Sequence, residues 1–251
     1  MRTPTRPPLR SSNPALREDA FTATRTDGGG TMTVQGTVNK TAWLLVLALA
    51  TASASWVLAT AGGPGVAGWA IGASLAGLVV AIATIVRPRW SPVTAPIYAL
   101  VEGVALGLVS MWFEAAYPGI AIQAVALTFG VLGAMLALYK TGVIKVTQRF
   151  RAGVLAATMA IAVVYLVALV LGLFGVRVPF LYDASPLGIL ISLAVVVVAA
   201  LNLVLDFDLI DRGAKAGAPA YMEWYAAFGL LVTLVWLYLE LLRLLARLRE
   251  R

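Results

Sequence analysis

The sequence predicts an all-α fold, a polytopic membrane protein of seven transmembrane helices. Three observations carry this reading. Hydrophobic residues make up 61% of the chain and charged residues 12%, with a mean hydropathy of +0.89, a balance that a soluble domain of 251 residues does not sustain. The apolar residues gather into runs at about 41–62, 65–86, 93–113, 118–139, 152–174, 187–208 and 223–245, each close to the ~20 residues with which a helix crosses a bilayer. The basic residues gather at one set of run ends: Arg87 and Arg89 after the second, Lys140, Lys145, Arg149 and Arg151 after the fourth, and Arg212 and Lys215 after the sixth, against Arg177 alone on the other side. That asymmetry places the N-terminus in the cytoplasm. The net charge of +7 therefore reads as a topology signal and not as affinity for nucleic acid.

Residues 1–40 are polar, carry six basic side chains and the run Gly28-Gly29-Gly30, and are expected to form a disordered, basic, cytoplasmic arm. The first apolar run starts too late and is too long for a cleavable signal peptide, so it is expected to stay as a span. The links 63–64 and 114–117 are short enough only for tight helical hairpins, which makes runs one and two, and runs three and four, antiparallel neighbours. Pro92 and Pro96 suit the opening of the third helix, where a missing N–H costs little. Gly68-x-x-x-Gly72, Ala73-x-x-x-Gly77 and Gly103-x-x-x-Gly107 have the spacing of close helix contacts and are read as packing. Trp43, Trp69, Trp90, Trp112, Trp224, Tyr98, Tyr117, Tyr139 and Tyr221 lie near run ends, as an interfacial aromatic belt does.

The last run conflicts with the charge rule. An odd number of spans exports the C-terminus, yet Arg243, Arg247, Arg249 and Arg251 are basic. Spanning is preferred to a re-entrant segment, giving a membrane domain of 41–246 and a short basic tail of 247–251. The uncharged core of this run, Trp224 to Leu239, is 16 residues or ~24 Å long, so Glu223 or Glu240 is expected close to the hydrocarbon edge.

Function is sought in the acids. Residues 187–205 carry no charge, and their ~28 Å of helix brings Asp206 and Asp208 to the membrane boundary. An ionised carboxylate in hydrocarbon costs ~2.5 kcal/mol or more, so one retained there is paired, protonated or lining a watery cavity. Asn202, one turn before Asp206, prolongs the polar face and favours function at Asp206; Asp208 reads equally well as a site residue or as a marker of the helix exit, and Asp211 reads as a marker. Glu102 lies nine residues into the third run, ~14 Å deep, and is expected to face the bundle interior near polar groups of the sixth or seventh helix. Glu102, Asp206 and Glu223 are expected to converge in the cytoplasmic half, with Glu240 across the membrane pairing with Arg243. Burial and like charge both oppose ionisation of such a group, so proton uptake would turn a repelling pair into a hydrogen-bonded one. The ionised oxygens are hard ligands suited to Ca²⁺.

The chain contains no cysteine and no histidine, which removes disulfides, thiol chemistry, imidazole bases and the usual zinc and haem ligands. Serine–histidine catalysis is thereby excluded and no aspartate pair of an intramembrane enzyme is visible, so a non-enzyme without cofactor is expected. No repeat suggests a proton-coupled transporter. A retinal protein needs a lysine in its last helix, whereas the last lysine here, Lys215, precedes that run.

Short motifs in order along the chain carry a resemblance. Ser12-Asn13-Pro14-Ala15-Leu16, Thr33 to Lys40, Glu102-Gly103, Leu205-Asp206-Phe207, Met222-Glu223-Trp224-Tyr225 and the closing Leu239-Glu240-Leu241-Leu242-Arg243 resemble the Bax inhibitor-1, or transmembrane Bax inhibitor motif, family in its bacterial, actinobacterial-type branch. The resemblance implies seven helices with six surrounding the last. It also implies a leak of cations, chiefly Ca²⁺, controlled by pH through two aspartates on helices six and seven. Asp206 matches the first of these, and would be the carboxylate to contact Ca²⁺; the second position holds Thr233, so the acid pair is not intact. Asp208, Glu223 and Glu102 are the substitutes inferred from spacing. The expected function is a pH-sensitive Ca²⁺ leak of the bacterial inner membrane. The alternative is a non-transporting membrane regulator that binds a protease or another membrane protein.

Overall fold

The computed structural model describes residues 30–61, 66–176 and 183–250. Residues 1–29 of the arm expected over 1–40, which include the motif Ser12 to Leu16, and Arg177 lie outside the described residues. Seven helices long and apolar enough to cross a membrane follow one another: α1 Val34–Thr60, α2 Val66–Val86, α3 Ser91–Ala116, α4 Ile120–Lys140, α5 Gln148–Leu173, α6 Pro186–Lys215 and α7 Met222–Arg249. A 3₁₀ turn, Pro88–Trp90, joins α2 to α3.

Local chemistry sets the helix ends. Thr33 is extended and its hydroxyl accepts from Gly36 N at 2.8 Å, an N-cap that starts α1 at Val34, ahead of the apolar run. Residues 34–40 therefore belong to α1 and not to the arm. The residues just before it are held too: Met32 N donates to Ala218 O at 2.7 Å and Ala220 N to Gly30 O at 2.9 Å, pinning this segment to the α6–α7 link. Thr147 and Ser185 cap α5 and α6 in the same way. The α3–α4 hairpin turns at Gly119, whose φ of +82° favours glycine, while the Glu114 carboxylate accepts from Gly119 N and from Ala121 N at 3.0 Å, satisfying the start of α4.

The last helix is the centre of the bundle. It is buried on every side along most of its length, with Tyr225, Phe228, Leu231, Leu237 and Leu242 almost wholly covered. Helices α1, α3, α4 and α6 pack directly along it, while α2 lies outside against α3 and α5 outside against α6. α7 is an unbroken helix of 28 residues, long and apolar enough to cross a membrane and without a break at which it would turn back. Its far end is tied to the α3–α4 hairpin, where Arg249 donates to Pro118 O at 2.7 Å and to Gln123 Oε1 at 2.9 Å. The end of α7 thus stands at the opposite end of the bundle from the start of α1.

Gly103 and Gly107 let the backbones of α3 and α1 approach: a side chain at either would strike Ala48 and Thr51, or Ala52 and Ser55. The hydroxyl of Ser55 crosses the same contact to Val104 O at 3.2 Å. Gly68 and Gly72 face open space, so their identical spacing marks no contact here.

Candidate functional site

Helix α6 does not end near residue 208 but continues for two more turns to Lys215. Asp206 is therefore mid-helix, 3% exposed, and aimed at α7. The Thr233 hydroxyl donates to its Oδ2 at 2.6 Å, and the same hydroxyl stands 3.2 Å from Gly229 O on its own helix. A hydroxyl has a single proton to give. Thr233 donates across to Asp206 when that group is ionised. When Asp206 is protonated, Thr233 can accept from it and return its own proton to Gly229 O. The position at which the resemblance expects an acid thus holds a residue that can hydrogen-bond either protonation state of Asp206 but cannot itself ionise in the physiological range.

Asp206 belongs to a longer polar series between α5, α6 and α7. On one side, Asp208 receives Arg151 of α5 at 3.0 Å and Arg212 of its own helix at 2.6 Å. On the other, Asn202 donates to Thr158 Oγ1 of α5 at 2.8 Å and to Val198 O at 2.9 Å. Beyond it, Glu240 of α7 accepts from the Tyr165 hydroxyl at 2.9 Å and from Arg243 at 2.7 Å. The series ends where the buried Arg247 donates to Gly188 O at 2.6 Å and to the Ser192 hydroxyl. Polar side chains are thus present at successive levels from one end of the bundle to the other, within three helices that are otherwise apolar.

A protein-family model described as Bax inhibitor 1 like matches residues 13–250. The chain belongs to that family. No curated protein and no solved structure matches it.

Within this Bax inhibitor 1 like fold, the acids expected to gather around Asp206 occupy different interfaces. Glu102 lies between α3 and α2, its carboxylate over Gly77 in the space a side chain there would fill, and not beside α6 or α7. Depth along a helix was legible, but direction was not; Gly77 supplies the recess that accepts it. Glu223 lies between α7 and α1, where Thr33 N and the Thr33 hydroxyl donate to it at 2.8 and 2.9 Å and Lys40 forms an ion pair with it. It anchors the start of α1. Asp208, two residues from Asp206, is turned ~200° around the helix and so meets α5 while Asp206 meets α7. Asp211 pairs with Lys215 at 2.6 Å on the surface. The Glu240–Arg243 pair forms as expected from its three-residue spacing.

Thr158, Tyr165 and Arg247 were not singled out as site residues. A signal exists in the seven-residue spacing of Arg151, Thr158 and Tyr165 on α5, and of Thr233, Glu240 and Arg247 on α7, which keeps each set near one helix face. Hydroxyls in apolar runs are common enough that this spacing stands out only when the partner helix is known. Among the described residues no group of three or more His, Cys, Asp or Glu side chains is arranged to hold a metal ion.

Proposed function

We propose that this protein is a pH-responsive cation leak of the bacterial inner membrane, with Ca²⁺ as the transported ion, the N-terminus cytoplasmic and no enzymatic role. The observation that carries the reading is the polar series from Arg151 and Asp208 through Asp206–Thr233 and Asn202–Thr158 to Glu240, with Asp206 buried at its α6–α7 step. A membrane protein retains such groups at depth where ions or protons pass. Membership of the family supports the reading as well.

The chemistry follows from Asp206. Ionised, it attracts a cation and holds Thr233 as donor, tying α6 to α7. Protonated, it loses that attraction, and the freed Thr233 proton can return to Gly229 O on its own helix. Protonation thereby changes both the charge along the path and the bond between two helices. The central α7 packs along α1, α3, α4 and α6 and is hydrogen-bonded to Tyr165 of α5, so a small change in its seating reaches most of the bundle.

A second reading has its own observation. At the α7 position where the resemblance expects an acid, a neutral Thr233 bonds Asp206, which suits a static contact in a non-transporting regulator that presents its helices or basic arm to a membrane-protein or protease partner. Ca²⁺ flux into liposomes at several pH values separates the two. The leak reading expects flux that changes with pH and that Asp206→Asn makes flat; pH-independent silence of the folded protein would favour the regulator.

A further inference from the structure

The geometry points to a cation-binding station at Glu240, remote from Asp206, which Arg243 occupies as a tethered counter-ion. This deepens the leak reading and rests on it for the route by which an ion arrives. Glu240 is 1% exposed. Its Oε1 takes both available donors, the Tyr165 hydroxyl and Arg243 Nη1, while its Oε2 is buried and receives none. A carboxylate oxygen left bare in a poorly solvated site is expensive, and the burden falls when a cation or its water is beside it.

The two members of the pair are unequal. Glu240 is fixed within the bundle, whereas the Arg243 side chain is 46% exposed and stacks over the Tyr165 ring at 5.5 Å. Arginine near a helix end extends readily to the membrane surface while its stem stays against apolar neighbours. When Arg243 does so, both oxygens of Glu240 and the Tyr165 hydroxyl oxygen are open to the α5–α6–α7 seam. These are hard oxygen donors of the kind a partly hydrated Ca²⁺ takes, with water completing its shell. Glu240 stands two turns, about 10 Å, beyond Thr233 on the same face of α7, with Asn202–Thr158 flanking the seam between α5 and α6. An arriving divalent ion competes with a guanidinium held at high effective concentration by three residues of helix, so the site is weak until Arg243 leaves.

The test is equilibrium binding to the full-length, detergent-solubilised protein, read by Tb³⁺ luminescence sensitised by Tyr165 and displaced by Ca²⁺. Arg243→Gln removes the competing tether and should tighten saturable binding about tenfold or more over wild type. Arg243→Gln combined with Glu240→Gln should abolish that gain. Equal binding in wild type and Arg243→Gln, or a gain that survives Glu240→Gln, overturns the proposal. Should Arg243→Gln fail to fold, Glu240→Gln alone decides, since the weaker wild-type signal must vanish in it and its persistence refutes the site. Liposome flux keeps the two claims apart. Binding at Glu240 without Ca²⁺ flux in any variant sinks the leak and keeps the site, whereas pH-dependent flux without the Arg243→Gln gain sinks the site and keeps the leak.

Discussion

Replacing Thr233 by valine tests the link between Asp206 and pH directly. Valine keeps the branched shape and deletes the hydroxyl that donates to Asp206 at 2.6 Å. Hydrogen bonds to charged groups contribute ~1.5–3 kcal/mol, and the ionised form of Asp206 uses this donor while the protonated form can do without it. Its loss therefore penalises the ionised form and makes protonation easier. At ~1.4 kcal/mol per pH unit, the midpoint of the flux–pH profile should move to higher pH by about one to two units. The assay is Ca²⁺ flux into liposomes across a pH series, with gel filtration and a melting curve to show that the variant is folded. A folded Thr233→Val protein whose midpoint stays in place, or moves to lower pH, would refute the role given to this bond.

Thr233→Asp should steepen the pH dependence of the same flux, because a second acid facing Asp206 couples two protonations where one now occurs. Glu223→Gln should lower thermal stability by about 1–3 kcal/mol, since it leaves Lys40 without its charged partner and weakens the anchor of α1, while the flux midpoint stays unchanged. Gly107→Leu should sharply reduce the yield of folded protein because the added side chain strikes Ala52 and Ser55 of α1, whereas Gly72→Leu, which meets open space, should express as wild type. Equal yields for those two variants would contradict the α1–α3 contact. Reporter fusions at the two termini should report opposite sides of the membrane, with the N-terminus cytoplasmic.

The spans were legible because a bilayer imposes a local rule. Every backbone N–H and C=O in hydrocarbon must be satisfied within its own segment, so an apolar run of about twenty residues has to be a helix whatever surrounds it. The runs around Val66–Val86 and Ile120–Lys140 match their helices closely for that reason. The rule weakens at the ends. The first turns of α1 and the last two turns of α6 are polar, and they are helical because Thr33 caps one and because Arg212 and Lys215 pair with Asp208 and Asp211 one turn back in the other.

The acids show the division most plainly. Sequence placed Glu102 deep in its helix, since depth is residue number times rise, but set Asp206 and Glu240 at the membrane edge; their burial is a finding of the structure. Sequence also determined the Glu240–Arg243 pair, which needs only three residues of one helix. Tertiary structure alone decided which interface each acid faces, because that depends on the rotation of a helix about its axis and on which neighbour leaves room. Glu102 faces α2 because Gly77 is small; Asp206 and Asp208 diverge because a helix turns ~100° per residue, and α7 and α5 stand on either side of α6. The hydrogen bond from Thr233 to Asp206 joins positions 27 residues apart on two helices, and only their packing brings that hydroxyl to the carboxylate.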